Sequence, residues 1–348
     1  MERRRLSCRR CGTPSLVPLE AQTLRCPACR HVTRLESNTN VINPGYSAHV
    51  RPNNPWSIIR AQVYPQYAPP PPPPPAHGRK RALLCGITYE GHRKSLKGSI
   101  NDVLFMKRFL VERFGFPSSS ILVLTEEEEF SRIPTKKNIR AAMRWLVQGC
   151  QPGDSLVFHY SGHASQVRDR DGDELDGFDE SLLPVDFETE GRILDDEINA
   201  TIVRPLPRGT TLHSIVDTCF SGTFMDLPNV CRINRGGYFK WEDHRNPHAY
   251  KGTSGGYAIS ISACDDHQNS GDTTAFTGAP VGALTYSFVQ TLKEQPRLNY
   301  GQLLNAMHQK INTAREELGL NSNEPHKSQE PLLSSSYKFD IHSKPFTL

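Results

Sequence analysis

Two apolar runs of this sequence end on the side chains that thiol-dependent chemistry needs. The run "LVFHYSGHASQ" (156–166) reaches His163, and "LHSIVDTCFSG" (212–222) reaches Cys219, each with small residues around it. A free thiol is mostly protonated at neutral pH, so a nucleophilic cysteine needs a base or a cation beside it. The pattern predicts a nucleophile paired with a histidine. Taken alone, each run also fits a buried thiol or a loop histidine without chemistry.

These two runs belong to a longer alternation of strand-like and helix-like segments, in which the strands are nearly continuous in apolar residues. Strands are predicted near 81–89, 120–126, 154–162, 210–218, 256–264 and 332–340, and helices near 100–115, 135–150, 194–206, 281–294 and 300–317. This order predicts an α/β fold with a mostly parallel sheet covered by helices on both faces. In such sheets the functional residues follow the carboxyl ends of the strands, where His163 and Cys219 stand.

Composition divides the 348 residues into zones. Residues 1–36 hold four cysteines, and residues 37–80 are rich in proline and end in an unbroken proline tract. That tract lacks backbone donors, so it predicts a disordered, stiff spacer without a core. We predict a cysteine-containing amino-terminal segment (1–36), a proline-rich linker (37–80) and an α/β region from residue 81 onward, in which residues 227–255 break the alternation of strands and helices.

Bulk properties exclude several classes of protein. The net charge of +4 is too small to indicate a nucleic-acid binder, and no run has the roughly 18 apolar residues of a membrane span. The start "MERRRLSC" has no apolar stretch behind its arginines, so it is not a secretory signal. Nine cysteines without such a signal indicate reduced thiols. We therefore expect a cytoplasmic protein, also present in the nucleus, with no membrane partner.

Several motifs together resemble one family. "HYSGHASQ" and "DTCFSGT" resemble the histidine and cysteine motifs of the caspase-like clan, and within it the type I metacaspases of plants. The same order of motifs continues with "LKGSINDV" (96–103), "DGDELDGFDESLLPVDF" (171–187), "LDDEINATIVRPLP" (194–207), "ISISACDD" (259–266) and "GALTYSF" (282–288). The resemblance covers residues 81–345. It implies a caspase-like three-layer sandwich, a monomer, and a role in programmed cell death or stress responses. It also implies a zinc-finger prodomain (1–36) before the linker, a catalytic large-subunit region (81–226), a processing linker (227–255) and a small-subunit region (256–348).

The resemblance also implies a reaction. Cys219 would attack a peptide carbonyl, and His163 would deliver the proton to the leaving amine. The chain departs from the family pattern at Ala164, where relatives have glycine, and at Phe220, where they commonly have histidine. These departures bear on the level of activity, and they support an alternative in which the chain is a weakly active scaffold. A nucleotide-binding α/β protein is excluded because no glycine-rich phosphate loop follows the first strand.

Acidic and hydroxyl residues next to the two motifs predict the substrate class. Asp217 lies two residues before Cys219, Ser161 lies two before His163, and Asp102 begins the first helix. Two carboxylates and a hydroxyl in one pocket favour a guanidinium or ammonium group. The resemblance places them, with Ser99, around the side chain that precedes the scissile bond, which implies cleavage after Arg or Lys. The alternative makes Asp102 a helix cap and Asp217 a buried hydrogen-bond partner.

The stretch "DRDGDELDGFDE" (169–180) is rich enough in carboxylates to suggest a hard cation. It is not an EF-hand, because Glu174 stands where that loop needs glycine, and a solvated acidic loop is the alternative. The resemblance implies a calcium site formed by Asp179, Asp195, Asp196 and Asp226. We expect Ca²⁺ to order the loops beside the dyad and so to activate the enzyme.

Cysteines near the start of the chain form two closely spaced pairs. Cys8 with Cys11 and Cys26 with Cys29 match the knuckles of a tetrahedral structural Zn²⁺ site. The segment resembles the small zinc finger of plant lesion-simulating-disease proteins, which implies binding of regulatory proteins by the finger or the proline tract. For the arginines at 3–5, a solvated face is favoured over contact with nucleic acid.

Basic residues in the linker 227–255 suggest self-cleavage, since a protease selective for basic residues would meet its own preferred sites there. They are Arg232, Arg235, Lys240, Arg245 and Lys251.

Overall fold

The computed structural model describes residues 3–7, 14–18, 21, 23–25, 32–34, 79–172, 174, 177–218, 223–233, 238–245, 249–263, 272–273, 280–317 and 331–348. The chain divides into two compact units, residues 1–70 with 234–240, and residues 71–233 with 241–348. The predicted linker up to residue 78 lies outside the described residues, and so do the four amino-terminal cysteines.

In the smaller unit the described residues form two short antiparallel pairs. β1 (Arg3–Ser7) pairs with β2 (Pro14–Pro18), and β3 (Thr23–Arg25) pairs with β4 (Val32–Arg34). Val17 and Ala21 are buried, and Tyr238 packs against them. These pairs lie in the region where the sequence predicts the finger.

The larger unit contains the remaining elements, although Phe239 and Lys240, at the start of one strand, are grouped with the smaller unit. Its strands are β5 (Lys80–Gly86), β6 (Ile121–Leu124), β7 (Ser155–Ser161), β8 (Ala164–Arg168), β9 (Phe178–Leu182), β10 (Ile193–Leu194), β11 (Thr211–Asp217), β12 (Asn229–Ile233), β13 (Phe239–Asp243), β14 (Tyr257–Ser262), β15 (Asp272–Thr273), β16 (Val281–Gly282) and β17 (Leu332–Ser335). Its helices are α1 (Ser99–Phe114), α2 (Lys136–Val147), α3 (Phe187–Glu190), α4 (Asp195–Ile198), which continues into a π-helical turn (Asn199–Val203), α5 (Ala283–Glu294) and α6 (Tyr300–Glu317).

Eight strands form the central sheet in the order β13-β12-β17-β14-β11-β7-β5-β6. The five strands from β14 to β6 run parallel to their neighbours, whereas β17 is antiparallel to both β14 and β12. The central strands β7 and β14 are buried at every position, as expected for a parallel sheet covered on both faces. The mostly parallel sheet predicted from the sequence is confirmed.

Helices cover the two faces of this sheet. On one face α2 and the π-helical turn pack with Leu83 and Cys85 in a continuous apolar core. On the other, α1 and α5 are in ring contact through Phe109 and Phe288. Local signals fix the helix ends, since Gly115 closes α1 with a φ of 65°. The three layers are those of the predicted sandwich.

The structure differs from the sequence prediction in two stretches. A second sheet flanks the acidic stretch, because β9, which begins within that stretch, pairs antiparallel with β8 and β10. The linker 227–255, which the sequence predicts to be irregular, contributes β12 and β13 to the edge of the central sheet. β13 alternates buried Phe239 and Trp241 with exposed Lys240, which is the pattern of an edge strand with one covered face.

Among the described residues, no helix is both long and apolar enough to cross a bilayer.

Candidate active site

The parallel register of β7 and β11 brings the two chemical motifs to one edge of the sheet. Asp217 pairs with Ser161, and both strands end there. His163 follows Ser161 by two residues, and Cys219 follows Asp217 by two. Neighbouring strands are about 4.8 Å apart, so the chain leads into both residues from adjacent positions. Cys219 itself lies outside the described residues, as does Phe220.

The imidazole of His163 is held from two sides. Its Nε2 lies 2.6 Å from the carbonyl oxygen of Lys94, and its ring stacks on Tyr89 with centroids 4.7 Å apart. A carbonyl oxygen only accepts, so Nε2 carries a hydrogen. This contact leaves Nδ1 as the ring atom that can exchange a proton with a thiol.

A buried tyrosine pair supports the turn that carries His163. The hydroxyl of Tyr89 accepts the backbone N–H of His163 at 2.9 Å and donates to the carbonyl of Leu183 at 2.6 Å. The hydroxyl of Tyr160 donates to the carbonyl of His163 at 2.8 Å. A Cβ on Gly162 would lie 2.7 Å from the Tyr160 hydroxyl, so only glycine fits between strand and histidine. Ala164, the departure noted above, is the first residue of β8.

Three of the predicted substrate-binding residues meet beside this turn. The hydroxyl of Ser161 donates to Asp102 Oδ2 at 2.7 Å, and Asp102 and Asp217 are both buried. Both carboxylates lie against Gly282, where a Cβ would be 2.7 Å from Asp102 Oδ2 and 2.2 Å from Asp217 Oδ2. Two negative groups therefore converge on one buried point at the carboxyl end of the sheet.

The amino terminus of α5 faces these carboxylates. The N–H of Gly282, its capping residue, donates to Asp102 Oδ1 at 2.8 Å, and the N–H of Thr285 donates to Asp217 Oδ2 at 2.8 Å. Unpaired amides and the positive end of a helix favour anionic partners. Asp217 is thus a buried hydrogen-bond partner, as one of the two interpretations predicted, and it also lies beside the carboxylate of Asp102.

Ser99 occupies a different position from the other three. It is fully buried at the first residue of α1, three positions before Asp102. Its hydroxyl has no hydrogen-bond partner among the described residues. A Cβ on Gly86 would lie 2.5 Å from the Ser99 carbonyl oxygen, so α1 begins in direct contact with the end of β5.

A second acidic cluster contains the residues predicted to bind calcium. Asp179, on β9, and Asp195 and Asp196, which begin α4, each offer an oxygen within 4.8 Å of the other two. Burial raises the pKa of Asp195 well above its usual range, and the negative charges of Glu180 and Asp226 raise it further. Such a group of carboxylates is destabilised unless a cation or protons neutralise it.

The fourth predicted ligand, Asp226, is also buried in this region. Burial raises its pKa to about 8, although the ammonium of Lys251 acts in the opposite direction. Lys251 pairs with Asp226, with Asp196 at 2.9 Å and with Glu174 at 3.2 Å. Lys251, a predicted self-cleavage site, is therefore buried in ion pairs.

Sequence reasoning missed several of these residues. Tyr89 follows the first predicted strand, in "GITYEGH" (86–92), and Gly282 begins the motif "GALTYSF", but neither spacing nor composition assigns them a contact. A lone glycine directly before an apolar helix was a usable signal for a close approach. No local pattern connects Lys251 with carboxylates 25 to 77 positions away.

Comparisons with known proteins agree with these motifs. The family profile described as "Metacaspase, peptidase C14 domain" matches residues 80–228. The chain is 48% identical to Metacaspase-3 of Arabidopsis thaliana, covering 99% of both chains. It is also 48% identical to Metacaspase-1 of that plant, covering 99% of this chain and 96% of the relative.

Among solved structures the chain is similar to protein GSU0716 from Geobacter sulfurreducens. The TM-score is 0.51 at 20% identity, covering 78% of this chain and 99% of the other, and this likeness concerns the fold alone. The match to the plant relatives, at 48% identity over nearly the full chain, is the stronger finding. The chain therefore belongs to the metacaspases, a family of cysteine proteases with a caspase-like fold.

Proposed function

We propose that this metacaspase cleaves peptide bonds after Arg or Lys, with Cys219 as nucleophile and His163 as its proton partner. The observation that carries the specificity is the convergence of Asp102 and Asp217 on Gly282. Because Gly282 has no side chain, both buried carboxylates can lie against the start of α5 and so close to each other. A guanidinium or ammonium group that reaches them would gain two charge-assisted hydrogen bonds, whereas an Asp side chain would meet like charges.

The mechanism follows from the contacts of His163. With Nε2–H held by the Lys94 carbonyl, Nδ1 takes the proton of the Cys219 thiol, and the thiolate attacks the peptide carbonyl carbon. The tetrahedral intermediate collapses as the C–N bond breaks and Nδ1–H protonates the leaving amine. Water then attacks the thioester carbon and gives a proton to Nδ1. The C–S bond breaks, and Nδ1–H protonates the departing sulfur, which restores the free thiol.

Fluorogenic peptides that end in Arg, Lys or Asp test this proposal. We expect cleavage after Arg and Lys, none after Asp, and complete loss in Cys219→Ala. Asp217→Asn keeps an acceptor for the Thr285 N–H but removes one charge, so kcat/KM for Arg should fall at least about 100-fold, or about 2.7 kcal/mol of transition-state stabilisation.

The matched control is Asp154→Asn, since Asp154 is equally buried and lies at the opposite end of β7. It should leave selectivity unchanged. Retained Arg cleavage in Asp217→Asn would exclude the proposed pocket. Absence of cleavage in the wild-type chain would favour the scaffold alternative, to which Ala164 and Phe220 lend support.

We further propose that calcium binds Asp179, Asp195, Asp196 and Asp226 and activates the enzyme. The donor set fits, because the four carboxylates offer only oxygens and come from three separate segments, an arrangement that Ca²⁺ tolerates. Asp179, Asp195 and Asp226 are buried, and Asp196 is half-buried. Bound calcium would neutralise the cluster and stabilise the loops that carry it. Calorimetry should detect binding in the wild-type chain and none in Asp195→Asn. Equal heats in both would contradict the assignment.

The remaining expectations are proposals that rest on the sequence. Zn²⁺ held by Cys8, Cys11, Cys26 and Cys29 would give the amino-terminal finger a structural role, with regulatory proteins as its partners. We propose a monomeric cytoplasmic and nuclear enzyme that acts on protein substrates with basic residues in cell death or stress responses. Metal analysis of a four-cysteine-to-serine variant tests the zinc assignment, since stoichiometric zinc in that variant would contradict it.

A further inference from the structure

The ammonium group of Lys251 lies among carboxylates from three separate segments. It pairs with Glu174 at 3.2 Å, with Asp196 at 2.9 Å and with Asp226, while only 5% of its side chain is exposed. A desolvated ammonium is stable only when it is paired and hydrogen-bonded. The placement is therefore that of a specific buried cation and not of a surface ion pair.

A buried side chain, that of Asn199, binds the backbone of Lys251 and holds it in this position. The side-chain amide of Asn199 donates to the carbonyl oxygens of Met225, Asp226 and Lys251, at 3.1, 3.0 and 3.1 Å. One buried group thus joins the segment after Cys219 to the end of the linker. Asp226 has a φ of 50°, a left-handed conformation that Asp tolerates better than most residues.

The contacts of Lys251 overlap with the proposed calcium site. Two of its three partners, Asp196 and Asp226, are also proposed calcium ligands. The acids of this cluster are Glu174, Asp179, Glu180, Asp195, Asp196 and Asp226. A divalent cation would reduce the excess of negative charge. It would also be repelled by an ammonium that shares its carboxylates.

We propose that Lys251 is a built-in cation of this cluster and that Ca²⁺ displaces it on binding. The inference rests on the proposed calcium site. Without calcium, Lys251 neutralises part of the cluster and fastens the end of the linker to it. Calcium takes over Asp196 and Asp226, and the Lys251 side chain moves out to solvent. Lys251 thereby raises the calcium concentration that the enzyme needs.

Calorimetry of three chains tests the competition. Lys251→Gln removes the competing charge, so we expect its Ca²⁺ affinity to be at least about tenfold higher than that of the wild-type chain. Lys240→Gln is the matched control, because it makes the same charge change at an exposed lysine of the same linker. It should bind Ca²⁺ as the wild type does. Unchanged or weaker binding in Lys251→Gln would overturn the proposal.

Chemical labelling tests the displacement in a chain with every cluster residue intact. Acetic anhydride is applied to the Cys219→Ala protein, which cannot cut itself, and labelled lysines are read by mass spectrometry. We expect Lys251 to be protected without Ca²⁺ and to become several-fold more reactive with it. Lys338, whose side chain is 42% exposed, should be labelled equally in both conditions. Continued protection of Lys251 in saturating Ca²⁺ would overturn displacement.

Failure of the calcium site itself has a different signature. If neither the wild-type chain nor Lys251→Gln binds Ca²⁺, the site and the inference fall together. If the wild-type chain binds Ca²⁺ and Lys251→Gln binds it equally well, the site stands and only the role of Lys251 is refuted. Binding seen in Lys251→Gln alone would support the competition in its strongest form.

Discussion

At the scale of single residues, the orientation of His163 depends on groups that do not themselves react. Tyr89 is buried, its ring stacks on the imidazole, and its hydroxyl accepts a hydrogen bond from the backbone N–H of His163. The carbonyl of Lys94 selects the tautomer. Proton transfer needs the ring at hydrogen-bonding distance from both the thiol and the leaving amine. Tyr89 is therefore a positioning residue for the proposed reaction.

We predict that Tyr89→Phe lowers kcat about tenfold, because it keeps the stacked ring but removes a buried hydroxyl worth about 1.4 kcal/mol. KM for an Arg peptide should be little changed, whereas the acid limb of the pH–rate profile should shift. Tyr300→Phe is the control, since Tyr300 is equally buried and bonds His213. Identical kcat and pH profiles in the two variants would refute the positioning role.

At the scale of elements, α5, α1 and the sheet together form the proposed specificity pocket. The amino terminus of α5 donates two N–H groups to carboxylates that come from α1 and β11. Gly282 permits this approach because no side chain separates the helix from the two acids. The pocket is therefore a property of packing between three elements, and a small steric change should disturb it.

We predict that Gly282→Ala abolishes cleavage after Arg, because its methyl group would overlap Asp217 Oδ2. Such overpacking also costs about 1–3 kcal/mol of stability. Gly301→Ala is the control. Gly301 lies in α6, and a Cβ there would be 2.6 Å from the His342 ring. Thermal unfolding and peptide kinetics should show similar losses of stability in both variants and loss of activity in Gly282→Ala alone. Normal Arg cleavage by Gly282→Ala would contradict the pocket.

The strands also carry buried histidines that should respond to pH. Burial, and then the charge of Lys344, lower the pKa of His213 to about 3, against about 6.5 in an unfolded chain. Below pH 6.5 the unfolded chain takes up a proton that the folded chain refuses, so stability falls as pH falls towards 3. His213→Gln should remove about 2 kcal/mol of the destabilisation between pH 7.5 and pH 5. Denaturant melts at the two pH values measure it, and equal losses in both chains would contradict the prediction.

Elements with a single strong pattern were predictable from the sequence. The apolar runs of β7 and β11 and the helical spacing of α1 gave both the strands and the edge at which the motifs meet. β8 was missed because its side chains are half-buried or exposed and have no clear period. The contacts around Gly282 and Lys251 were not predictable, because they join residues far apart in sequence through packing that no local pattern encodes.

At the scale of the whole molecule, strands from the chain before and after the linker alternate in the central sheet. A cut between β13 and β14 would leave β11, β12 and β13 on the amino-terminal fragment, with β14 and β17 on the carboxyl-terminal one. In the sheet, β17 and β14 lie between β12 and β11. The carboxyl-terminal fragment therefore supplies the middle of the sheet, and the fragments cannot separate without breaking two strand pairings, β12 with β17 and β14 with β11, and the core beneath them.

Among the described basic residues of this linker, Arg245 is both exposed and outside the strands, since its side chain is 71% exposed and it lies just after β13. Arg235 lies outside the described residues. Arg232 and Lys240 lie within strands, and Lys251 is buried, so each would require local unfolding before it reached the active site of another copy. We predict that self-cleavage occurs after Arg245, and that the two fragments still elute together in native gel filtration. Mass spectrometry of the wild-type chain, Arg245→Gln and Cys219→Ala locates the cut. A cut after Lys251 in calcium-free buffer would contradict the burial of that residue. Fragments that separate without denaturant would contradict the interleaved arrangement of strands.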